Sequence, residues 1–177
     1  NDEVREETFI LFNAGTDEEE VYAAIPLVVD TDLDTAYVCI SDDTYIESFR
    51  HYFELDSGMV NFLDVGDELA VIGYPSTGGD TVTTEFGQLT GFTPVFEERD
   101  LIKTDLAVSG GMSGGPVITD EKKIVGMLIS TTTEETGGIT TYAVSTDIVI
   151  SAISYGVQAI IEDLEEVGQW EVPDGCF

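Results

Sequence analysis

A serine enclosed by glycines constrains this chain more than any other feature of its sequence. Residues 110–118 read Gly-Gly-Met-Ser-Gly-Gly-Pro-Val-Ile, so an apolar, strand-like run directly follows Ser113. Glycines on both sides allow a tight backbone turn that other residues avoid. Such a turn can push the hydroxyl outward and aim backbone N–H groups at one point, as acyl transfer requires. A plain Gly/Ser turn in a β-protein is the alternative interpretation.

Short apolar runs at regular spacing predict an all-β fold. The runs are separated by Gly, Pro, Asn and Asp turn signals, and this spacing favours a barrel or a sandwich. The predicted strands cover residues 8–12, 21–29, 34–40, 68–74, 81–92, 116–119, 124–130 and 139–144.

In the last part of the chain the spacing of apolar residues changes. Ser145-Thr146-Asp147 can cap a helix. Apolar residues then recur every three or four positions, which is typical of an amphipathic helix with one apolar stripe. The stripe consists of Val149, Ile153, Val157, Ile160, Leu164 and Val167.

The charge of the chain excludes several kinds of partner. Acidic residues number 36 against 6 basic ones, which gives a net charge of −30. A polyanion of this kind is not expected to bind nucleic acid through its phosphates, or an anionic membrane surface. Self-repulsion strains the compact state and salt screens it, so we expect a protein adapted to high salt.

The cysteine and histidine content argues against a metal site. The two cysteines, Cys39 and Cys176, are far apart in sequence, and we expect a buried thiol and a tail thiol rather than a disulfide. With one histidine and no close cysteine pair, a zinc site is not expected. No stretch of the sequence reaches the length of a membrane span.

Several segments together resemble trypsin-like serine proteases, nearest to the bacterial HtrA/DegP type. The resemblance covers roughly residues 6–161. It is strongest at 103–116, which is similar to the family's T-D-A-A…G-N-S-G-G-P segment. Residues 63–75 resemble a strand that ends in a Gly-x-Pro turn, and 32–40 resemble the D-L-A-V-L-x-I strand. The resemblance implies a two-barrel, all-β fold with a C-terminal helix.

The resemblance also assigns roles to individual residues. Ser113 would be the nucleophile, and the N–H groups of Gly111 and Ser113 would form the oxyanion hole. Asp34 would orient a histidine. Ala107, six positions before Ser113, would favour small or medium apolar substrate side chains. The strand Ile129-Ser130-Thr131 would pair with the substrate backbone.

The catalytic base is the missing part of this pattern. The family places its histidine before the acid, whereas the single histidine, His51, follows Asp34 by seventeen positions. We therefore expect an N-terminally incomplete protease, with a first barrel that lacks the strands carrying the histidine. The predicted divisions are 1–48 for the remainder of the first barrel, 49–63 for a connection, 64–145 for the second barrel, 146–167 for the helix and 168–177 for a tail.

Two functions remain open on the sequence alone. The first is a serine endopeptidase, inactive or nearly so as this chain; the second is a non-catalytic pseudo-protease that binds peptides or acts as a scaffold. Both imply a polypeptide partner, no cofactor, no nucleic acid and no membrane. A homo-oligomer, or a separate N-terminal segment, is a further expectation. The family works mostly outside the cytoplasm, in the periplasm, at the cell surface or after secretion.

Overall fold

The computed structural model confirms the predicted fold class, which is mostly β with a C-terminal helix. It describes residues 8–31, 34–40, 54–77, 81–95, 99–133 and 139–167. Within them the strands are β1 (Thr8–Phe12), β2 (Glu20–Asp30), β3 (Thr35–Ile40), β4 (Glu68–Gly73), β5 (Thr83–Thr93), β6 (Leu101–Thr104), β7 (Pro116–Thr119), β8 (Ile124–Thr133) and β9 (Ile139–Ser145). A 3₁₀ helix spans Met59–Phe62, and an α-helix, α1, spans Thr146–Val167.

The chain divides into two compact units. One comprises residues 1–52 and 153–177, and the other comprises residues 53–152. The domain boundaries predicted from the sequence stay predictions. Of the predicted connection, residues 49–53 lie outside the described part of the chain, as does the whole tail 168–177.

The first unit contains a three-stranded antiparallel sheet in the order β1-β2-β3. Its register shifts between Pro26 and Val28, where β2 pairs with β3. Proline cannot donate to the ladder and is tolerated where pairing is irregular. Helix α1 approaches the same strand, because a β-carbon added to Gly156 would collide with the side chain of Val28. Glycine at position 156 therefore permits close packing of helix on sheet.

The second unit is a closed barrel in the order β4-β5-β6-β9-β8-β7, with antiparallel pairing throughout. Closure leaves no free sheet edge along the fully paired lengths of the strands. The barrel is filled by inward-facing apolar side chains of its strands and by four more from the segments between strands. This core comprises Val60, Leu63, Leu69, Val71, Leu89, Ile102, Leu106, Met112, Val117, Val125, Leu128 and Ala143.

One arginine attaches the 3₁₀ helix to the barrel. A guanidinium nitrogen of Arg99 donates to the carbonyl oxygens of Val60 and Leu63, both at 2.9 Å. The same guanidinium lies 4.4 Å from the ring centroid of Phe92. The charged donor satisfies the Leu63 carbonyl at the helix end and gives the Val60 carbonyl a second bond beside the one from the Leu63 N–H.

Helix α1 begins where the capping pattern predicts. Its first residue is Thr146, and the carboxylate of Asp147 accepts a 2.5 Å hydrogen bond from the Gly58 N–H. Of the predicted apolar stripe, Val149, Ile153 and Val157 are partly buried. The side chains of Ile160, Leu164 and Val167 lie outside the described residues.

The expectation for the cysteines was wrong. Cys39 lies in β3, is buried and is disulfide-bonded, and the described part of the chain contains no free cysteine. The sequence contains one other cysteine, Cys176, which is outside the described residues. A long separation in sequence does not reveal distance in the fold, so spacing alone could not predict the pairing.

Candidate active site

The serine turn carries one side chain into the core and the next into solvent. Met112 is 1% exposed and belongs to the barrel core, whereas Ser113 is exposed. Gly111 and Gly114, which flank this pair, have φ angles of +92° and +83°. These are left-handed conformations that favour glycine. The glycines thus allow the chain to reverse between a buried anchor and an exposed hydroxyl.

Hydrogen bonds fix the turn to two neighbouring segments. The Gly110 carbonyl accepts bonds from the backbone N–H and the hydroxyl of Ser76, at 2.7 and 2.8 Å. The Gly114 N–H donates to the Leu128 carbonyl at 2.7 Å, and the Leu128 N–H donates to the Gly115 carbonyl at 2.9 Å. The turn is therefore bonded on one side to the segment after β4 and on the other to β8.

Close backbone approach explains why two of the glycines cannot carry a side chain. A β-carbon on Gly111 would lie 2.6 Å from the Tyr74 carbonyl oxygen and 2.8 Å from the Ser76 nitrogen. A β-carbon on Gly115 would collide with the Ile72 carbonyl oxygen. A β-carbon on Gly114, by contrast, would meet nothing within 4 Å.

Three backbone N–H groups of the turn, those of Gly110, Gly111 and Ser113, have no hydrogen-bond partner among the described residues. Met112 donates to the Ser109 carbonyl at 3.3 Å, and Gly115 donates to the Met112 carbonyl at 3.0 Å. Among the described residues, the N–H groups of Gly111 and Ser113 and the Ser113 hydroxyl have no hydrogen-bond partner. Unbonded donors beside an exposed hydroxyl are what an acyl-transfer site offers to a developing oxyanion.

Strand β8 changes its pairing beside this turn. It pairs with β7 up to Met127 and with β9 from Gly126 to Thr133, with an irregularity between Leu128 and Ser130. Beyond Leu128 no described strand pairs with its other side. Ile129 is partly buried, whereas Ser130 and Thr131 are exposed. An unpaired stretch of strand offers main-chain groups to an added peptide strand.

The segment that carries Ala107 is held by its neighbour Leu106. Ala107 is exposed, while the Leu106 side chain is fully buried. The Leu106 N–H donates to the Thr104 hydroxyl at 3.3 Å, and its carbonyl accepts from the Thr141 hydroxyl at 2.7 Å. This double attachment was not predicted, because Thr104 and Thr141 resemble ordinary strand residues in the sequence.

Asp34 lies in the first unit, and its backbone conformation is that of a turn residue. It is exposed and immediately precedes β3 with a φ of +53°. Aspartate tolerates this left-handed conformation better than most residues. Among the described residues its carboxylate has no hydrogen-bond partner. Ser113, Gly111, Ala107 and Ile129–Thr131 all belong to the other unit, while His51 lies outside the described residues.

Comparison with known proteins agrees with this architecture. The model of the trypsin-like peptidase domain matches residues 2–127. The protease domain of MamO from Magnetospirillum magneticum, in its apo form, is similar with a TM-score of 0.62 and 18% identity, over 82% of this chain and 75% of that one. The search of curated proteins found no match.

The HtrA-type protease AlgW, solved with a decapeptide, is also similar. Its TM-score is 0.65 at 20% identity, over 90% of this chain and 46% of AlgW. A variant of AlgW with a decapeptide has a TM-score of 0.63 at 18% identity, over 93% of this chain and 45% of that one. This chain thus spans a little under half the length of AlgW, and at such identities the likeness establishes the fold, which is that of HtrA-type proteases.

Proposed function

Since this chain belongs to the trypsin-like peptidase domain family, we propose that it is the Ser113-containing part of a serine endopeptidase. The observation that carries the proposal is the turn around Ser113. An exposed hydroxyl stands between two left-handed glycines, beside the N–H groups of Gly111 and Ser113, which have no partner in the described part of the chain. Ser113 is the nucleophile, and these two N–H groups form the oxyanion hole.

The reaction follows from these roles. As Ser113 Oγ attacks the scissile carbonyl carbon, a base removes the hydroxyl proton and the oxyanion binds the two N–H groups. The base then protonates the leaving amine, and water hydrolyses the acyl-enzyme. The sequence has one histidine, so the base is His51 or a histidine outside these 177 residues. Asp34 would orient that histidine.

The substrate is a polypeptide that binds as an added strand. The unpaired side of β8 from Ile129 to Thr131 would bond its backbone. Exposed Ala107 supplies no charge, so small or medium apolar side chains are favoured before the cleaved bond. The decapeptides bound to the two AlgW structures support a polypeptide ligand for this fold.

A non-catalytic peptide-binding domain is the second candidate function. The observation that favours it is Asp34, because an exposed aspartate in a left-handed turn is accounted for without catalysis. In this case the unpaired side of β8 still binds peptide, and Ser113 is not activated.

Labelling with a fluorophosphonate, which reacts with activated serines, tests the proposal. We expect the full-length protein to be labelled and the variant Ser113→Ala to remain unlabelled. If the base lies outside the 177 residues, these residues alone should show almost no peptidase activity, since removal of the base from a triad leaves only weak residual catalysis. A full-length protein that binds peptides but is not labelled would establish the non-catalytic function instead.

We propose an extracytoplasmic location. The disulfide at Cys39 supports it, because disulfides persist mainly in oxidising compartments. Among the described residues, no helix is long and apolar enough to cross a membrane.

A further inference from the structure

A cavity of about 360 Å³ lies at the end of the barrel opposite the serine turn. We call it the Phe62 cavity, and its lining comes from the segments 59–63, 66–68 and 119–121, all of the second unit. The serine turn lies at the other end of β4, because a β-carbon on Gly73 would be 3.1 Å from the Met112 Cα. Glu68 and Gly73 are the two ends of β4, about 17 Å apart at about 3.4 Å per residue. The Phe62 cavity is therefore separate from the candidate active site.

The side of the Phe62 cavity that belongs to the 3₁₀ helix is apolar. Leu63 is buried, Met59 is partly buried and packs against the barrel core, and Phe62 is 80% exposed. Because Arg99 bonds two carbonyls of this segment, the backbone that carries Phe62 is fixed to the barrel. A single exposed apolar residue is ordinary on a protein surface, but one beside a concave apolar wall offers contact area to a ligand.

The other sides of the Phe62 cavity are acidic. Four carboxylic acids line it, and no basic residue of the described part of the chain lies among them: Asp67, Glu68, Asp120 and Glu121. Lys122 and Lys123 follow in the turn but are outside the lining, and Lys123 pairs with Asp56 at 3.3 Å. Within the described ranges, no three acidic, histidine or cysteine side chains are close enough to hold a metal ion. The four carboxylates thus surround the cavity rather than converge on one point.

We propose that the Phe62 cavity docks a polypeptide partner that presents a basic side chain beside an apolar one. The apolar side chain would lie on Phe62 and Met59, and the ammonium or guanidinium group would meet the carboxylates. A cation can also lie over the Phe62 ring, as the Arg99 guanidinium lies 4.4 Å from the ring centroid of Phe92. Charge complementarity selects a basic partner, and the apolar wall distinguishes this site from the rest of an acidic surface.

Binding of a labelled peptide, measured by fluorescence anisotropy, tests the proposal. The probe is Gly-Leu-Arg-Phe-Arg-Gly, and Gly-Leu-Gln-Phe-Gln-Gly is its uncharged counterpart. The protein is the full-length chain with Ser113→Ala, so that the probe is not cleaved. The buffer contains 0.5 M NaCl, where long-range attraction by the net charge is largely screened. We expect the arginine peptide to bind at least about tenfold more tightly than the glutamine peptide.

The apolar wall is tested by two matched aromatic substitutions. Phe62→Ser should weaken binding of the arginine peptide about tenfold. Phe86→Ser is the control, because Phe86 is similarly exposed, at 76%, but lies in β5 and does not line the cavity. Both side chains are exposed, so the variants should fold, and their unfolding midpoints verify this.

The acidic rim is tested by two pairs of substitutions that change the net charge equally. Asp120→Asn with Glu121→Gln should weaken binding about tenfold. Asp17→Asn with Glu18→Gln removes the same charge from exposed positions of the first unit and should leave binding unchanged.

Weakening by the two cavity variants and by neither control is the result that the proposal requires. Equal weakening by the two acidic pairs would overturn it, because attraction by net charge alone would then explain the binding. Unchanged binding in Phe62→Ser, or no measurable binding of the arginine peptide, would also overturn it. Fluorophosphonate labelling of wild-type Ser113 does not depend on these results, so the proposed function is tested separately.

Discussion

At the scale of single residues, the serine turn depends on glycines for two separable reasons. Gly111 combines a φ of +92° with backbone atoms that would crowd a β-carbon, whereas Gly114 has a φ of +83° and open space. The glycine pattern was visible in the sequence, but the neighbours that crowd Gly111 are contributed by the segment after β4. Only the fold could identify them.

The two positions provide a paired stability test. Gly114→Ala adds left-handed strain alone and should lower the free energy of unfolding by about 1–2 kcal/mol. Gly111→Ala adds a clash with the Tyr74 carbonyl to the same strain and should lower the free energy of unfolding by at least about 3 kcal/mol. Urea titration of both variants measures the difference. Equal losses would show that the turn can move away from Tyr74 without cost.

At the scale of elements, the sequence predicted β1 and β7 with their observed bounds and underestimated the lengths of β2 and β8. Strand β5 was expected from Thr81 through Gly87 to Phe92, and it spans Thr83–Thr93. It passes through Gly91, which has a φ of +154° and marks a register shift against β6. Glycine in a strand signals either a break or a bulge, and here β5 continues through the irregularity. Strand β8 was expected to end at Ser130 but runs on to Thr133, because its polar end pairs with β9.

The 3₁₀ helix gives a prediction at this scale. Arg99→Met keeps much of the aliphatic stem but removes both bonds to the Val60 and Leu63 carbonyls, and we expect a loss of about 2–3 kcal/mol in thermal or urea unfolding. The Val60 carbonyl keeps its 3.3 Å bond from the Leu63 N–H, which limits the loss.

Lys123→Met is the control for the loss of a positive charge. Its 3.3 Å ion pair with Asp56 joins two side chains that are about half exposed, so the cost should stay below about 1 kcal/mol. If Arg99→Met and Lys123→Met lower the free energy of unfolding equally, Arg99 contributes through its charge alone and not through its bonds to the helix end.

At the scale of the whole molecule, we expect the net charge of −30 to control how stability depends on salt. Repulsion between exposed carboxylates is screened over about 10 Å at 0.1 M salt and about 3 Å at 1 M. We expect the unfolding midpoint to rise between 0.1 M and 2 M NaCl. Sucrose at the same osmolality is the control for solvent exclusion, which stabilises without screening. If the unfolding midpoint rises no more in NaCl than in sucrose, the expectation is contradicted.

The disulfide is the second prediction for the molecule as a whole. Thiol titration of the denatured protein should find no free cysteine before reduction and two after it, since the sequence has two cysteines. Reduction should lower the stability by about 2–4 kcal/mol. Two free thiols in protein purified without reductant would contradict the bond at Cys39.

The pairing of the serine turn with Leu128 also indicates where the protein can be redesigned. Leu128 is 3% exposed and bonds both glycines that follow Ser113, so a change there would disturb the turn and the barrel together. Ala107 and Ser130 are exposed and lie outside this bonded set. A combinatorial library for new selectivity should therefore vary positions 107 and 130 and keep 110–115 and 128 constant.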